Sequence, residues 1–457
     1  MSKKTSAPVR RRMLLGAVLA LGLPSLAQAQ ASADLLTVYS DALAHNPQYR
    51  TMAAQYRATQ EMVPASFGKL LPQLGLRARY EHIWEDIDGQ YYAVQDLHFD
   101  DDYDHHTYGA QLQQVIFNGS LLAGWDAAKL RVTQAGFALE GSQDELGVNV
   151  VESYFAVLGA IEGLRYADAE TESLRQESAQ AASRADAGLA LEADKQVALA
   201  TYELALARQA EARSLVDSTR LRLETLTGRS YGPLKLLPAQ VSLNLPPLDE
   251  KAWIERARTH NAGVLARTAA LQAAQKEMKQ AQRGRWPTLN AQGLAYWDDH
   301  GGGVVGDREE EEQRIGVTLD LPLYSGGQIS AQIDAAKARA DAAQAQLDEA
   351  RAQAIRDTRQ AYLQITTGLL KAQGLKRAVE AAIAAEQATR SAAEAGTRTN
   401  ADLLQAIDTR YDAERNYAVL RYRLLLNGVQ LRAASGTLVT ADLINLNRLL
   451  VGATPAP

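Results

Sequence analysis

The chain contains no cysteine. That excludes a disulfide framework, a thiolate metal centre and a lipid carried on an N-terminal cysteine. Proline is absent where helices need it to be: thirteen prolines occur in 457 residues, but none between 73 and 232 or between 323 and 454. Two stretches of well over a hundred residues are thereby free to form long helices. Aromatic residues make up only 6% of the chain and histidine occurs seven times. No Ser-His-Asp order, phosphate loop or HExxH motif is present, so no catalytic residue and no cofactor is assigned. Beyond the first thirty residues there is no apolar run of 18 or more. A transmembrane helix is therefore not expected, although an exported chain can still enter a membrane as a β-barrel.

What is present begins with export. Lys3, Lys4 and Arg10 to Arg12 precede an apolar run from Met13 to Leu23 and a small-residue Ala27-Gln28-Ala29 site. This reads as a secretory signal peptide over residues 1–29, with cleavage after Ala29. Its removal takes away five basic and no acidic side chains and moves the formal charge from −6 to −11. An acidic surface of this kind argues against nucleic acid as a partner.

The mature chain repeats itself. An offset of 208 carries Asp126 to Asp334, Lys129 to Lys337, Tyr154 to Tyr362, Gly188 to Gly396, Asp194 to Asp402 and Gly228 to Gly436. Upstream, an offset of 215 carries His45-Asn46 to His260-Asn261 and Pro72 to Pro287, so the length difference sits in one loop. Two structural repeats are expected, 30–245 and 246–443, joined through the proline-rich segment 232–250 and followed by a C-terminal tail, 444–457. Within each repeat a helix of about seventy residues, 119–187 and 326–395, would extend about 100 Å. Leu146, Val150, Tyr154, Val157, Ile161 and Leu164 recur at spacings of 4, 4, 3, 4 and 3. Leu404, Ile407, Tyr411, Ala418, Tyr422, Leu425 and Val429 continue the pattern in the second copy. Both are coiled-coil-like seams. Tyr154 and Tyr362 are expected to pack or bond between helices.

Ahead of each long helix the period changes to 2. Leu74, Leu76, Ala78, Tyr80 and Trp84 alternate with Gln73, Gly75, Arg77, Arg79 and Glu81. The same alternation runs through Tyr108 to Ile116 and Ile315 to Leu323, and less cleanly from Leu289 to Trp297. Four strands of about 10 to 13 residues, in hairpins at about 73–118 and 287–324, fit either a soluble half-buried sheet or a membrane barrel. On the barrel reading, Tyr80, Trp84, Tyr108 and Trp297 form the lipid-facing aromatic girdle. Four strands cannot close a barrel in hydrocarbon, so chains must share one. Two chains give eight strands and a filled interior, whereas three give twelve and the beginning of a lumen.

The motifs HNPQYR, LLPQLGL, GWDAAK, AYLQI, EAGTRTNADLL and ASGTL, in this order and duplication, resemble the TolC family of outer-membrane efflux proteins over about residues 33–443. The resemblance implies a mainly α fold with a membrane β-barrel. Three chains would share a 12-stranded barrel and continue it as an α-helical periplasmic tunnel. It further implies a homotrimer in the outer membrane of a Gram-negative bacterium, with most of the chain in the periplasm. Its partners would be outer-membrane lipid, a periplasmic adaptor and an inner-membrane pump of RND, ABC or MFS type.

By the same resemblance, the two hairpin turns at Gly188 and Gly396 form the periplasmic tip, with Leu189 and Thr397 beside them as adaptor-contacting positions. Glycine suits the left-handed conformation that ends a helix, and Asn400 is placed to cap the returning one. Asp194 and Asp402 fall in first helical turns, where a carboxylate complements the helix dipole. The resemblance gives them a second role: Asp402 as an acidic constriction and Asp194 as the partner of Arg398 on the neighbouring hairpin. A second acidic ring common in the family is replaced by Gln405, which implies a weaker cation preference. A tyrosine and a threonine of the family lock are replaced by Ala393 and Ala193.

The acidic segments Asp96 to His106 and Asp298 to Glu312 read as strand-to-strand loops. His98, His105 and His106 offer a divalent ion a conceivable set, but solvated acidic loops are the reading adopted, with no metal assigned. The function expected is an export channel for toxic small molecules, proteins or both. The alternatives are a dedicated type I protein-secretion duct and, in another class, a secreted or periplasmic coiled-coil adaptor without a barrel. An enzyme is not expected.

Overall fold

The computed structural model describes residues 32–91, 95–238, 249–304 and 306–452. The signal segment 1–29 lies outside the described residues, as do the middle of the proline-rich connection and the last five residues of the tail.

Three short helices open the chain: α1 (Leu35–His45), α2 (Pro47–Gln60) and α3 (Met62–Gly68). Strands β1 (Gln73–Tyr91) and β2 (Gln95–Phe117) follow, then the long α4 (Gly119–Asp186) and its return helix α5 (Glu192–Thr227). The second half runs α6 (Glu250–His260), α7 (Ala262–Gln282), β3 (Thr288–Gly301), β4 (Asp307–Asp320), α8 (Gln328–Glu394), α9 (Asn400–Ala434) and α10 (Thr440–Arg448). Helix α10 crosses the boundary expected at 443, and Leu450 beyond it is buried.

With 68 and 67 residues, α4 and α8 match the lengths read from the proline-free stretches. Their stability comes from side-by-side packing, because isolated amphipathic character is slight over so long a span. Helix α4 packs on α5, α7 and α9, while α8 packs on α9 and α7. Leu146, Val150, Tyr154 and Val157 are buried along the first seam, as are Leu404, Ile407, Tyr411, Ala418, Tyr422 and Val429 along the second. The largest core joins the middle of α4 to α1, the end of α5, α10 and the extended segment at 234–237. Tyr154 packs among the helices of this junction, and its hydroxyl donates to the carbonyl of Lys235 (2.9 Å) with that of Ala33 also in reach (3.2 Å).

The two halves solve the same local problems with matching residues. Asn46 and Asn261 cap α2 and α7, and their amides donate to the carbonyls of Leu226 (3.2 Å) and Ala434 (3.0 Å), positions separated by 208. Gly228 and Gly436 end the return helices in the left-handed region, at φ 70° and 68°.

The four strands form one antiparallel sheet in the order β1-β2-β3-β4. Strands β1 and β2 are 19 and 23 residues long, and β3 and β4 are 14 each. They thus exceed the expected 10 to 13, and most of the supposed loops at 96–106 and 298–312 are strand. The reason is that ladder pairing needs only backbone partners. The acidic segment of β1 and β2 pairs rung by rung, from Glu85↔Asp101 through Asp88↔His98.

Candidate functional site

One end of the molecule is the sheet. Its apolar face carries Leu74, Leu76, Ala110, Leu112, Ile315, Val317 and Leu319, and no helix packs substantially across it among the described residues. Ile315 is 96% exposed and Leu76 84%. A soluble half-buried sheet would cover this side; here it faces outward, uncovered by the described residues. At about 25 cal/mol per Å², leaving several large aliphatic side chains in water costs many kcal/mol, so this surface calls for an apolar surrounding. Strands β1 and β4 each leave one edge unpaired, which hydrocarbon does not tolerate.

The register locates the aromatic residues along this face. Tyr108 pairs with Ala78 and Trp297, and Tyr80 sits one side-chain step further out, opposite His106. Trp84 lies four residues beyond Tyr80, opposite Asp102. At about 3.3 Å per residue that is roughly 13 Å outward along the strand. Tyr80, Tyr108 and Trp297 therefore share a band, while Trp84 projects among acidic side chains beyond it.

At the other end, about 100 Å along α4 and α8, are the two hairpin turns. Gly188 adopts φ 69°, and the next residue's N–H (Leu189) donates to the carbonyl of Arg184 at 2.8 Å. Gly396 adopts φ 74°, and the Thr397 N–H donates to the carbonyl of Ala392 at 2.9 Å. Each turn is a Schellman closure, in which glycine occupies the left-handed position without a side-chain penalty. Leu189 and Leu191 stand out into solvent, 80% and 70% exposed.

The returning helices start differently. Thr399, not Asn400, is the N-cap of α9: its hydroxyl accepts from the Asp402 N–H at 3.2 Å, and the Asp402 carboxylate accepts from the Thr399 N–H at 3.0 Å. This reciprocal box displaces Asn400 to the first helical position, because threonine in extended conformation directs its oxygen at the free N–H groups. The Thr399 backbone N–H foremost, then its hydroxyl, hold the Asp402 carboxyl below the usual carboxylate range. Helix α5 has no side-chain cap at Leu191, and Glu192 and Asp194 supply its negative first turn.

Asp194, Arg398, Gly188, Leu189, Thr399 and Arg390 share the walls of a cleft of about 590 Å³ between the two tips. Within one chain Arg398 and Asp194 do not approach to ion-pair distance among the described residues, and Arg398 is exposed. Gln405 lies one turn along α9 from Asp402, on a second cleft of about 640 Å³ beside Arg208 and Asp408.

Sequence reading did not single out a ladder of buried charges that fastens the two hairpins together. Glu162 meets the Arg421 guanidinium at 3.1 Å. Eight residues on, Glu170 meets Arg208 at 2.9 Å, and Arg208 also holds Asp408 at 2.6 Å. Seven residues further, Glu177 meets Arg390, which reaches Glu386 at 3.1 Å, with Arg410 on the same carboxylate at 2.8 Å. Burial pushes the Glu170 carboxyl up, against the lowering influence of Arg208 and Arg415. The signal was there in outline, since acidic residues at spacings of 8 and 7 on a helix stay on one seam.

The family model for outer membrane efflux proteins matches residues 38–229 and 253–437. The outer membrane protein TolC of Escherichia coli K12 is 28% identical over 444 residues, 94% of this chain and 87% of that protein. The alkaline protease secretion protein AprF of Pseudomonas aeruginosa is 26% identical over 426 residues, 92% of this chain and 88% of that protein. Among solved structures, the outer membrane channel CmeC of Campylobacter jejuni superposes with a TM-score of 0.75 at 16% identity, covering 97% of this chain and 98% of that one.

Proposed function

Because the chain belongs to the outer membrane efflux protein family, whose members are channels rather than enzymes, we propose that it is the outer-membrane duct of a tripartite exporter. Three chains close a 12-stranded barrel and continue it through the periplasm as a tunnel of long helices. The observation that carries this reading is the sheet: four strands with one uncovered apolar face and two free edges. Such a sheet is complete only in lipid and only when neighbouring chains pair edge to edge. Twelve strands leave a lumen where eight would be filled by side chains.

The strand turns and the helix tips lie at opposite ends. With the chain exported by the segment 1–29 and the sheet seated in the outer membrane, the strand turns face outside the cell and the tips at 188 and 396 lie in the periplasm. There the exposed Leu189 and Leu191, with Gly188, Gly396 and Thr397, meet a periplasmic adaptor that links the tunnel to an inner-membrane pump. Asp402 and Gln405 line the aperture. Arg398 of one chain reaches Asp194 of the next when the tips draw together, an arrangement favoured by an exposed guanidinium that has no ion pair among the described residues of its own chain. Adaptor binding shifts the tips toward the parted state. The repeat in sequence, with its matched Asn46 and Asn261 brackets, supports an arrangement in which the two hairpins of each chain act as near-equivalent staves.

The cargo is toxic small molecules, proteins or both. Likeness to a protease secretion protein favours a second reading, a duct dedicated to protein secretion. Purification in detergent, mass measurement and recording in planar bilayers test the proposal, with trimer-sized particles and discrete ion-conducting steps expected. A water-soluble monomer without pore activity overturns it. Deleting the gene separates the two cargoes: raised drug susceptibility marks the first, loss of a secreted protein the second.

A further inference from the structure

Three side chains from two strands remote in sequence meet on the polar side of the sheet near its turn end. His105 on β2 lies opposite His300 on β3, with Asp298 two residues back on the same strand. His105 Nε2 is 2.7 Å from one Asp298 carboxylate oxygen, and His300 Nε2 is 2.9 Å from the other. The two imidazole rings stack with centroids 3.8 Å apart. All three side chains are partly buried.

The surroundings orient this set. Glu81, directly across the ladder from His105, places a carboxylate oxygen 3.6 Å from His105 Nδ1. The Thr107 hydroxyl donates to Asp298 at 2.8 Å. Arg308, the fourth residue of the rung, is held by Glu310 at 2.7 Å. A histidine with one nitrogen on a shared carboxylate and the other facing a second carboxylate has the outer-sphere support typical of metal-ligating imidazoles.

We propose that His105, Asp298 and His300 form a binding site for a divalent cation of the zinc class. The ion takes Nε2 of both histidines and one Asp298 oxygen, and keeps a fourth position for water. Two imidazoles and one carboxylate select zinc, copper or nickel over calcium or magnesium, which prefer oxygen alone. Bonds of about 2.0–2.2 Å put tetrahedral donors roughly 3.3 Å apart. The present contacts of 2.7 and 2.9 Å go to the two different Asp298 oxygens, so the stacked imidazoles must turn as well as spread to converge on one ion. Ligation at Nε2 leaves the hydrogen on Nδ1, which for His105 points at Glu81. The second histidine cluster, Asp86, Asp88 and His98, is exposed at all three residues and has no such support among the described residues, and it serves as the internal control.

The test uses the full mature protein in detergent, stripped with chelator and titrated with Zn²⁺ alone by calorimetry. One ion per chain is expected, with micromolar or tighter affinity. His105→Ala and His300→Ala each weaken binding at least 100-fold, Glu81→Gln weakens it about 10–100-fold, and His98→Ala leaves it unchanged. Wild-type binding no stronger than that of the His105→Ala variant, or a loss confined to His98→Ala, overturns the assignment. A measurement on the unaltered chain guards against variants that fail to assemble. Bound Cu²⁺ should show electron paramagnetic hyperfine coupling to two imidazole nitrogens, and coupling to fewer than two also overturns it.

Discussion

Single residues at the tip carry opposite duties, and their environments separate them. Asp402 is engaged within its own turn by Thr399, so its first task is to start α9. Its carboxyl is held down in the folded state. The stability it contributes is therefore present above the ordinary aspartate range and fades as pH falls through the lowered folded value. Asp194 and Arg398 make no side-chain hydrogen bond or ion pair among the described residues, although Arg398 lies near enough to Asp402 to help hold it down, and both face a common cleft, as expected of groups whose partners lie on another chain. Arg398→Ala and Asp194→Ala should each raise single-channel conductance. Unchanged conductance in both removes the lock from the account. The buried charges behave differently. Glu162 and Arg421 are both nearly inaccessible, so Glu162→Ala removes the carboxylate that neutralises a buried guanidinium, which keeps the Pro238 carbonyl at 3.1 Å, and should cost about 3–5 kcal/mol. Glu162→Leu with Arg421→Met should recover most of that loss in a denaturant melt, because no unpaired charge remains.

At the scale of elements, the glycines that end helices divide into two kinds. Gly396 has φ 74° with open space where a Cβ would stand, so Gly396→Ala bears only the left-handed strain, about 1–2 kcal/mol. Gly436 has φ 68°, and a Cβ there would lie 2.2 Å from the His260 carbonyl oxygen. Gly436→Ala must displace the α6–α7 junction and should lower trimer yield or melting temperature far more than Gly396→Ala. Equal effects would contradict this packing. Strand lengths teach a related lesson. Alternation of apolar and polar residues reports where a strand touches two different media, and it ceases where both faces are wet. The rungs from Glu85 to Asp101 and beyond are strand without alternation, and a reading based on period 2 stops short of them.

For the whole molecule, the decisive feature is what one chain leaves unfinished. Strands β1 and β4 end the sheet with unpaired edges, and the chain has no cysteine of its own. A cysteine at Gly75 combined in turn with one at Gly316, Val317, Thr318 or Leu319 should, under oxidant, yield covalent dimers and trimers at one register and not at others. Exclusively monomeric chains at every register would sink edge-to-edge closure.

The sequence alone determined whatever depends on local repetition. Proline-free stretches and heptad-like spacing set two helices near seventy residues. Period 2 set four strands, and a recurring glycine set both tips, because each is a property of neighbours along the chain. Tertiary structure decided whatever depends on distant partners. It put Glu162 and Glu177 against Arg421 and Arg390 of the other hairpin, and Glu170 between Arg208 of its own hairpin and Arg415 of the other. It chose Thr399 over Asn400 as the cap, and brought His105 beside His300 across 195 positions of sequence. Such meetings follow from strand register and helix packing, which arise only when the two halves of the chain are folded against one another.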